Sequence, residues 1–104
     1  MYKLCFFVPW SHLEVIKKSL FDLGAGKSGY YDQRCWQTKG HGQYRPLSGS
    51  TPYSGNENNL SYVEEYKVEI QCPDHIIDTA IETLKHNHPY ETPVFEAWKL
   101  AFHG

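Results

Sequence analysis

Tyr66-Lys67-Val68-Glu69-Ile70-Gln71-Cys72-Pro73 is the stretch from which the fold can be read. Tyr66, Val68, Ile70 and Cys72 alternate with Lys67, Glu69 and Gln71. That period of two marks a strand with one face in a core and one face wet. Strand character reaches back to Ser61, and Pro73 stops it. Downstream the period changes. Ile76, Ile77, Ala80, Ile81 and Leu84 form an apolar stripe at helical spacing, which predicts a helix from about Asp74 to Asn87. Asp74 suits its first turn, and Lys85, His86 and His88 suit its last, where positive charge is favoured. Val94 to Ala101 reads as a final strand.

The upstream half repeats this order. Tyr2 to Val8 is a nearly continuous apolar, β-rich run, as in a buried strand, and Pro9 ends it. Ser11 with Glu14 three residues later predicts a capping box. The helix it opens carries Leu13, Ile16, Leu20 and Leu23 on one stripe, with Gly24 placed as its left-handed C-cap. Gly24-Ala25-Gly26-Lys27-Ser28-Gly29 contains Gly-Lys-Ser, but it follows a helix, whereas a phosphate loop follows a strand and opens a helix. It is read as a turn. Tyr30 to Thr38 is expected to be a second strand, at an edge or in an oligomer interface, because neither face is cleanly apolar. Lys39 to Leu60 is expected to be a long loop, with Gly40, Gly42, Gly49, Gly55, Pro46 and Pro52; loops of this length are usually functional or disordered. Tyr44 and Tyr53 indicate that part of it packs.

Two βαβ halves joined by a hairpin predict an α+β chain: one domain over residues 1–104, a ferredoxin-like βαββαβ sandwich. Its antiparallel sheet would carry both helices on one face and the long loop between strands 2 and 3. Phe7, Trp98 and some tyrosines would lie on the bare face, which is the physical reason to expect an oligomer. Aromatics make up 15% of the residues, including eight tyrosines and three tryptophans, and that points the same way.

A formal net charge of −2 favours neither nucleic acid nor an anionic membrane. No apolar run approaches the roughly 20 residues that span a bilayer. No signal-peptide pattern is present, so the expected location is cytoplasmic. Cys5, Cys35 and Cys72 are odd in number and far apart, which argues against a disulfide framework and for buried thiols.

The densest cluster of chemistry-bearing side chains is His86-Asn87-His88-Pro89-Tyr90-Glu91-Thr92-Pro93. With it, Tyr2-Lys3-Leu4, Val8-Pro9, Gly24-Ala25-Gly26 and Gly40-x-Gly42-x-Tyr44-x-Pro46-x-x-Gly49 resemble the inserted domain of the Nif-three-like family. These proteins are also described as dinuclear-metal-centre or GTP cyclohydrolase type-two-like proteins. That domain is similar in turn to the CutA and PII proteins, and CutA proteins carry a comparable His-Pro-Tyr-Glu-x-Pro stretch. The resemblance implies a ferredoxin-like core, a trimer and a hairpin loop used for recognition. Full Nif-three-like proteins are more than twice as long, and their dimetal site lies in flanking segments that nothing here matches. Thr92 and Phe95-Glu96 also depart from the family pattern. The resemblance therefore implies a stand-alone copy of the insert, without the hydrolase activity.

His88, Tyr90, Glu91, Arg45 and Tyr44 are the candidate ligand-binding residues. His86, His88 and Glu91 are the candidate metal ligands, since imidazole and carboxylate suit a divalent transition-metal ion. The structural alternative is that the two prolines fix the turn, Tyr90 packs and Glu91 accepts a hydrogen bond from another loop. No Ser-His-Asp or Cys-His pattern stands in a recognisable context, so no catalytic residue is named and the chain is read as not an enzyme. The expected function is a regulatory, small-ligand- or metal-binding homotrimer. Alternatives are a protein-interaction domain using the 39–60 loop and, last, a metal-dependent hydrolase.

Overall fold

The computed structural model describes residues 1–104. Strand β1 (Tyr2–Val8) is followed by helix α1 (Trp10–Leu23), strand β2 (Trp36–Tyr44), strand β3 (Ser61–Cys72), helix α2 (Ile77–Asn87) and strand β4 (Phe95–Lys99). A single turn of 3-10 helix, Asp74–Ile76, leads into α2. The strands form one sheet in the order β2-β3-β1-β4, with every neighbouring pair antiparallel. Each helix links two strands that have a third between them. This is the ferredoxin-like arrangement expected from the sequence.

The pairing of β3 with β1 aligns Val68 with Phe6, Ile70 with Leu4 and Cys72 with Tyr2. One register row therefore puts the alternate apolar residues of both strands on one face. Leu13, Ile16 and Leu20 of α1 and Ile77, Ala80 and Leu84 of α2 close over that face. Leu4, Phe6, Val8, Val68 and Leu84 are fully removed from solvent. Full burial of such a side chain contributes roughly 1.5–3 kcal/mol. The opposite face carries Lys3, Cys5 and Phe7 of β1, with Glu96 and Trp98 of β4 and Trp36 and Thr38 of β2 in the same rows.

Five local expectations are corrected. The capping box does not form: α1 begins at Trp10, Pro9 occupies the N-cap, and no side chain caps it. Ser11 Oγ instead meets His12 Nδ1 at 2.8 Å, and Glu14 pairs with Lys17 at 3.0 Å. The proline sets an extended φ and the helix starts directly behind it, so Ser11 is already inside the first turn.

The second strand is Trp36–Tyr44, not Tyr30–Thr38. Ser28 and Tyr31 exchange backbone hydrogen bonds, and Gly29 and Gln33 take positive φ values of 59° and 54°. These fold residues 28–34 into irregular turns. Gly40 and Gly42 weaken strand propensity, yet the long β3 supplies a partner for each of them, Glu65 and Val63. Pairing overrides propensity, and the loop shortens to residues 45–60. Cys35 is half-buried, unlike the buried Cys5 and Cys72. The last strand is also shorter than expected, because residues 100–103 leave the sheet.

Gly24 ends α1 in the left-handed conformation, and its N–H reaches the Leu20 and Phe21 carbonyls, as a C-cap should.

Candidate functional site

The β2–β3 hairpin projects beyond β1, whose pairing with β3 stops at Tyr66. Beside the projecting part lies the turn between α2 and β4. A cleft of about 440 Å³ opens between them, walled by residues 42–47, Pro52, Tyr53, Glu65, Tyr90, Glu91 and Val94, among others.

Three ties shape the cleft. Tyr44 donates its hydroxyl to the Ser54 carbonyl at 2.6 Å, folding the 45–60 loop back on its own strand. Glu91 accepts the Thr51 N–H and the Thr51 hydroxyl, each at 3.0 Å, clasping the loop to the C-terminal turn. Tyr90 donates its hydroxyl to Glu65 Oε2 at 3.0 Å, joining that turn to β3. A β-carbon on Gly42 would meet the Glu65 carboxylate, so a larger residue there would make Glu65 shift from its present path to Tyr90. Burial, then the Glu65 carboxylate, pushes the Tyr90 phenol above its ordinary pKa, so it remains a neutral donor.

His88 sits behind the cleft rather than in it. Its side chain is buried at 8% exposure, and its ring packs at a tilt of 57° against Tyr90, with ring centroids 4.7 Å apart. Nε2 lies 2.6 Å from the Phe7 carbonyl, which assigns its proton there. Nδ1 accepts the Tyr90 N–H at 3.2 Å. Both nitrogens are engaged, and burial lowers the pKa of the ring.

Of the residues singled out from sequence, Tyr44, Arg45, Tyr90 and Glu91 share the cleft, and His88 supports it from behind. The metal set His86, His88 and Glu91 is not assembled. His88 has no free lone pair, Glu91 is occupied by Thr51, and no group of three or more His, Cys, Asp or Glu side chains stands where it could hold a metal ion. A divalent metal does not fit these residues. Thr51 and Glu65 were not among the candidate site residues, and Tyr53 and Gly42 were named only for packing and for the family pattern. The β2–β3 register brings Glu65 and Gly42 in, and no local pattern announces it. Tyr53 extends the aromatic wall, 6.1 Å from Tyr90 and 6.0 Å from His12.

The cleft is thus an aromatic-walled hollow with one free cation. Arg45 makes none of the six ion pairs in the structure, and its guanidinium is left to a ligand or to water.

No protein-family model matches the chain. It is 36% identical over 99 residues to a GTP cyclohydrolase 1 type 2 homolog of Staphylococcus epidermidis, an alignment covering 95% of this chain and 27% of that protein. A Bacillus cereus protein related to NIF3 superposes with a TM-score of 0.82 at 30% identity, over 97% of this chain and 26% of the other. The PII-like protein CutA from Nostoc superposes with a TM-score of 0.70 at 16% identity, over 97% of this chain and 82% of the other, and shares the fold. The chain spans about a quarter of the length of the curated relatives it matches. Over nearly its whole length the chain is similar to one part of the GTP cyclohydrolase 1 type 2 homologs and of the NIF3-related protein, and its fold is the ferredoxin-like fold of the CutA proteins.

Proposed function

We propose that the chain is a non-enzymatic regulatory module of residues 1–104. It binds a small organic anion in the hairpin cleft and acts as a homotrimer. One observation carries the ligand: a 440 Å³ hollow lined by Tyr44, Tyr53 and Tyr90, with Arg45 unpaired beside them. Sites for small molecules are concave and mostly apolar, with few polar groups to fix orientation. The aromatic walls would take a flat or apolar body, and Arg45 would take its carboxylate or phosphate. The ties from Glu91 and Tyr90 hold the walls before any ligand arrives, which lowers the ordering cost of binding.

Support for self-association is the unpaired outer edge of β2 and the exposed Trp36, Trp98 and Phe102. Light scattering after size exclusion tests it, and a clean monomer at micromolar concentration would overturn the trimer. Isothermal titration with ATP and AMP tests the ligand class. Saturable binding that Arg45→Gln weakens by about tenfold or more is expected. Flat isotherms with both would overturn the reading.

A second reading has one observation in its favour. Leu47, Tyr53, Leu60 and Tyr62 are all more than half exposed at the hairpin's outer end. A protein partner docking there would lose its grip on deletion of residues 48–59, while β2 and β3 still pair.

A further inference from the structure

A second groove lies at the opposite end of the hairpin, where β2 begins. It has a volume of about 220 Å³ and is lined by Lys3, Gly26, Lys27, Arg34, Cys35, Trp36, Glu69 and Gln71. Its cations come from three elements: Lys3 from β1, Lys27 from the turn after α1, and Arg34 from the lead into β2. None of the three belongs to any of the six ion pairs. Five of the ten lysines and arginines are unpaired in this way, and three of those five meet here. The chain as a whole has a net charge of −2. A local excess of unpaired positive charge therefore runs against its overall balance.

The backbone builds this meeting. Gly26 has φ of +77°, and a β-carbon there would come within 2.5 Å of the Arg34 carbonyl oxygen. Its N–H donates to the Gln71 carbonyl at 2.8 Å, and its carbonyl accepts the Arg34 N–H at 3.1 Å. Gly26 thus holds the turn against both β3 and the 33–35 segment and sets Lys27 beside Arg34. Holding like charges together is unfavourable unless an anion joins them. The only carboxylate in the groove is Glu69. Cys35 brings no negative charge, because burial raises its pKa and keeps it a thiol.

We propose that this groove is a binding site for the phosphate or pyrophosphate group of a small soluble molecule. Arg34 would grip two oxygens with its planar fork, while Lys3 and Lys27 supply point charges from the other sides. Gln71 offers an amide donor.

Titration calorimetry with inorganic pyrophosphate and inorganic phosphate tests the proposal on the full chain at low ionic strength. Pyrophosphate should bind saturably and more tightly than phosphate, since it spans more of the three cations. Arg34→Gln and Lys27→Gln should each weaken it about tenfold, as expected for loss of a charge-assisted contact. Glu69→Gln should tighten it, a gain that an unfolded variant would not give. Lys85→Gln, on α2 and outside both hollows, should leave pyrophosphate binding unchanged. Absence of saturable binding by either anion would overturn the proposal. So would binding that is insensitive to Arg34 and Lys27, or that is lost with Arg45→Gln alone.

Discussion

His88 provides the sharpest test of how the cleft is held. Truncation in His88→Ala removes the donor to the Phe7 carbonyl and the acceptor for the Tyr90 N–H. Each buried polar group left without a partner costs about 1–3 kcal/mol. Loss of the ring packing against Tyr90 adds roughly 0.5–1.5 kcal/mol. Allowing for water reaching one of the freed groups, the expected destabilisation is about 3 kcal/mol. For a chain of this size that lowers Tm by on the order of 15 °C. Urea unfolding followed by far-UV circular dichroism measures it.

The protonation state gives an independent readout. The folded pKa of His88 lies below the ordinary histidine value of about 6.5 because burial disfavours the cation. Between those two values the unfolded chain binds a proton that the native chain does not. Stability is therefore fully present above about pH 6.5, and it falls as pH drops from there toward the folded pKa. His88→Gln, which can still donate to Phe7, should lose less stability than the alanine variant and should flatten the fall in stability below about pH 6.5. An alanine variant within about 0.5 kcal/mol of wild type, or an unchanged pH slope in the glutamine variant, would refute this reasoning.

Three further outcomes are expected. Glu65→Gln should lower the Tyr90 phenol pKa toward its ordinary value, read by ultraviolet difference titration, because the carboxylate no longer opposes the phenolate; an unmoved titration contradicts the Tyr90–Glu65 bond. Glu91→Ala should cost about 1–2 kcal/mol and speed hydrogen exchange at the Thr51 amide, because that amide loses its acceptor. Gly26→Ala should destabilise by about 3 kcal/mol through its positive φ and the approach to Arg34, seen as a lower urea midpoint.

How much of this was legible beforehand follows from the range of each interaction. The alternation Tyr66–Cys72 and the stripe Ile76–Leu84 are local, and they led to the right strand, helix and sheet order. The edge strand was displaced by several residues because Gly40 and Gly42 read as loop. Only their cross-strand partners show them to be strand. The capping box failed because the helix starts at Trp10, directly behind Pro9 and one residue ahead of the expected cap Ser11. In the cleft, Tyr90 and Glu91 were visible as an unusual cluster, and Tyr44 and Arg45 stood in the hairpin. The cleft roles of Glu65, Thr51 and Gly42 were not visible, since their contacts depend on register and on how the loop folds back. The same holds for Lys3, Lys27 and Arg34, which meet only once three separate elements are in place. His88 carried the largest change of role. An exposed imidazole would be a ligand, but here the ring is buried and both nitrogens are spent on the backbone.

The most direct test of the hairpin cleft is an amide and side-chain NMR titration of the folded chain with ATP. Saturable shifts concentrated at Tyr44, Arg45, Tyr53 and Tyr90 are the expected result, with those at the three tyrosines needing about tenfold more ATP in Arg45→Gln. Unmoved resonances at those four residues throughout the titration would contradict the account.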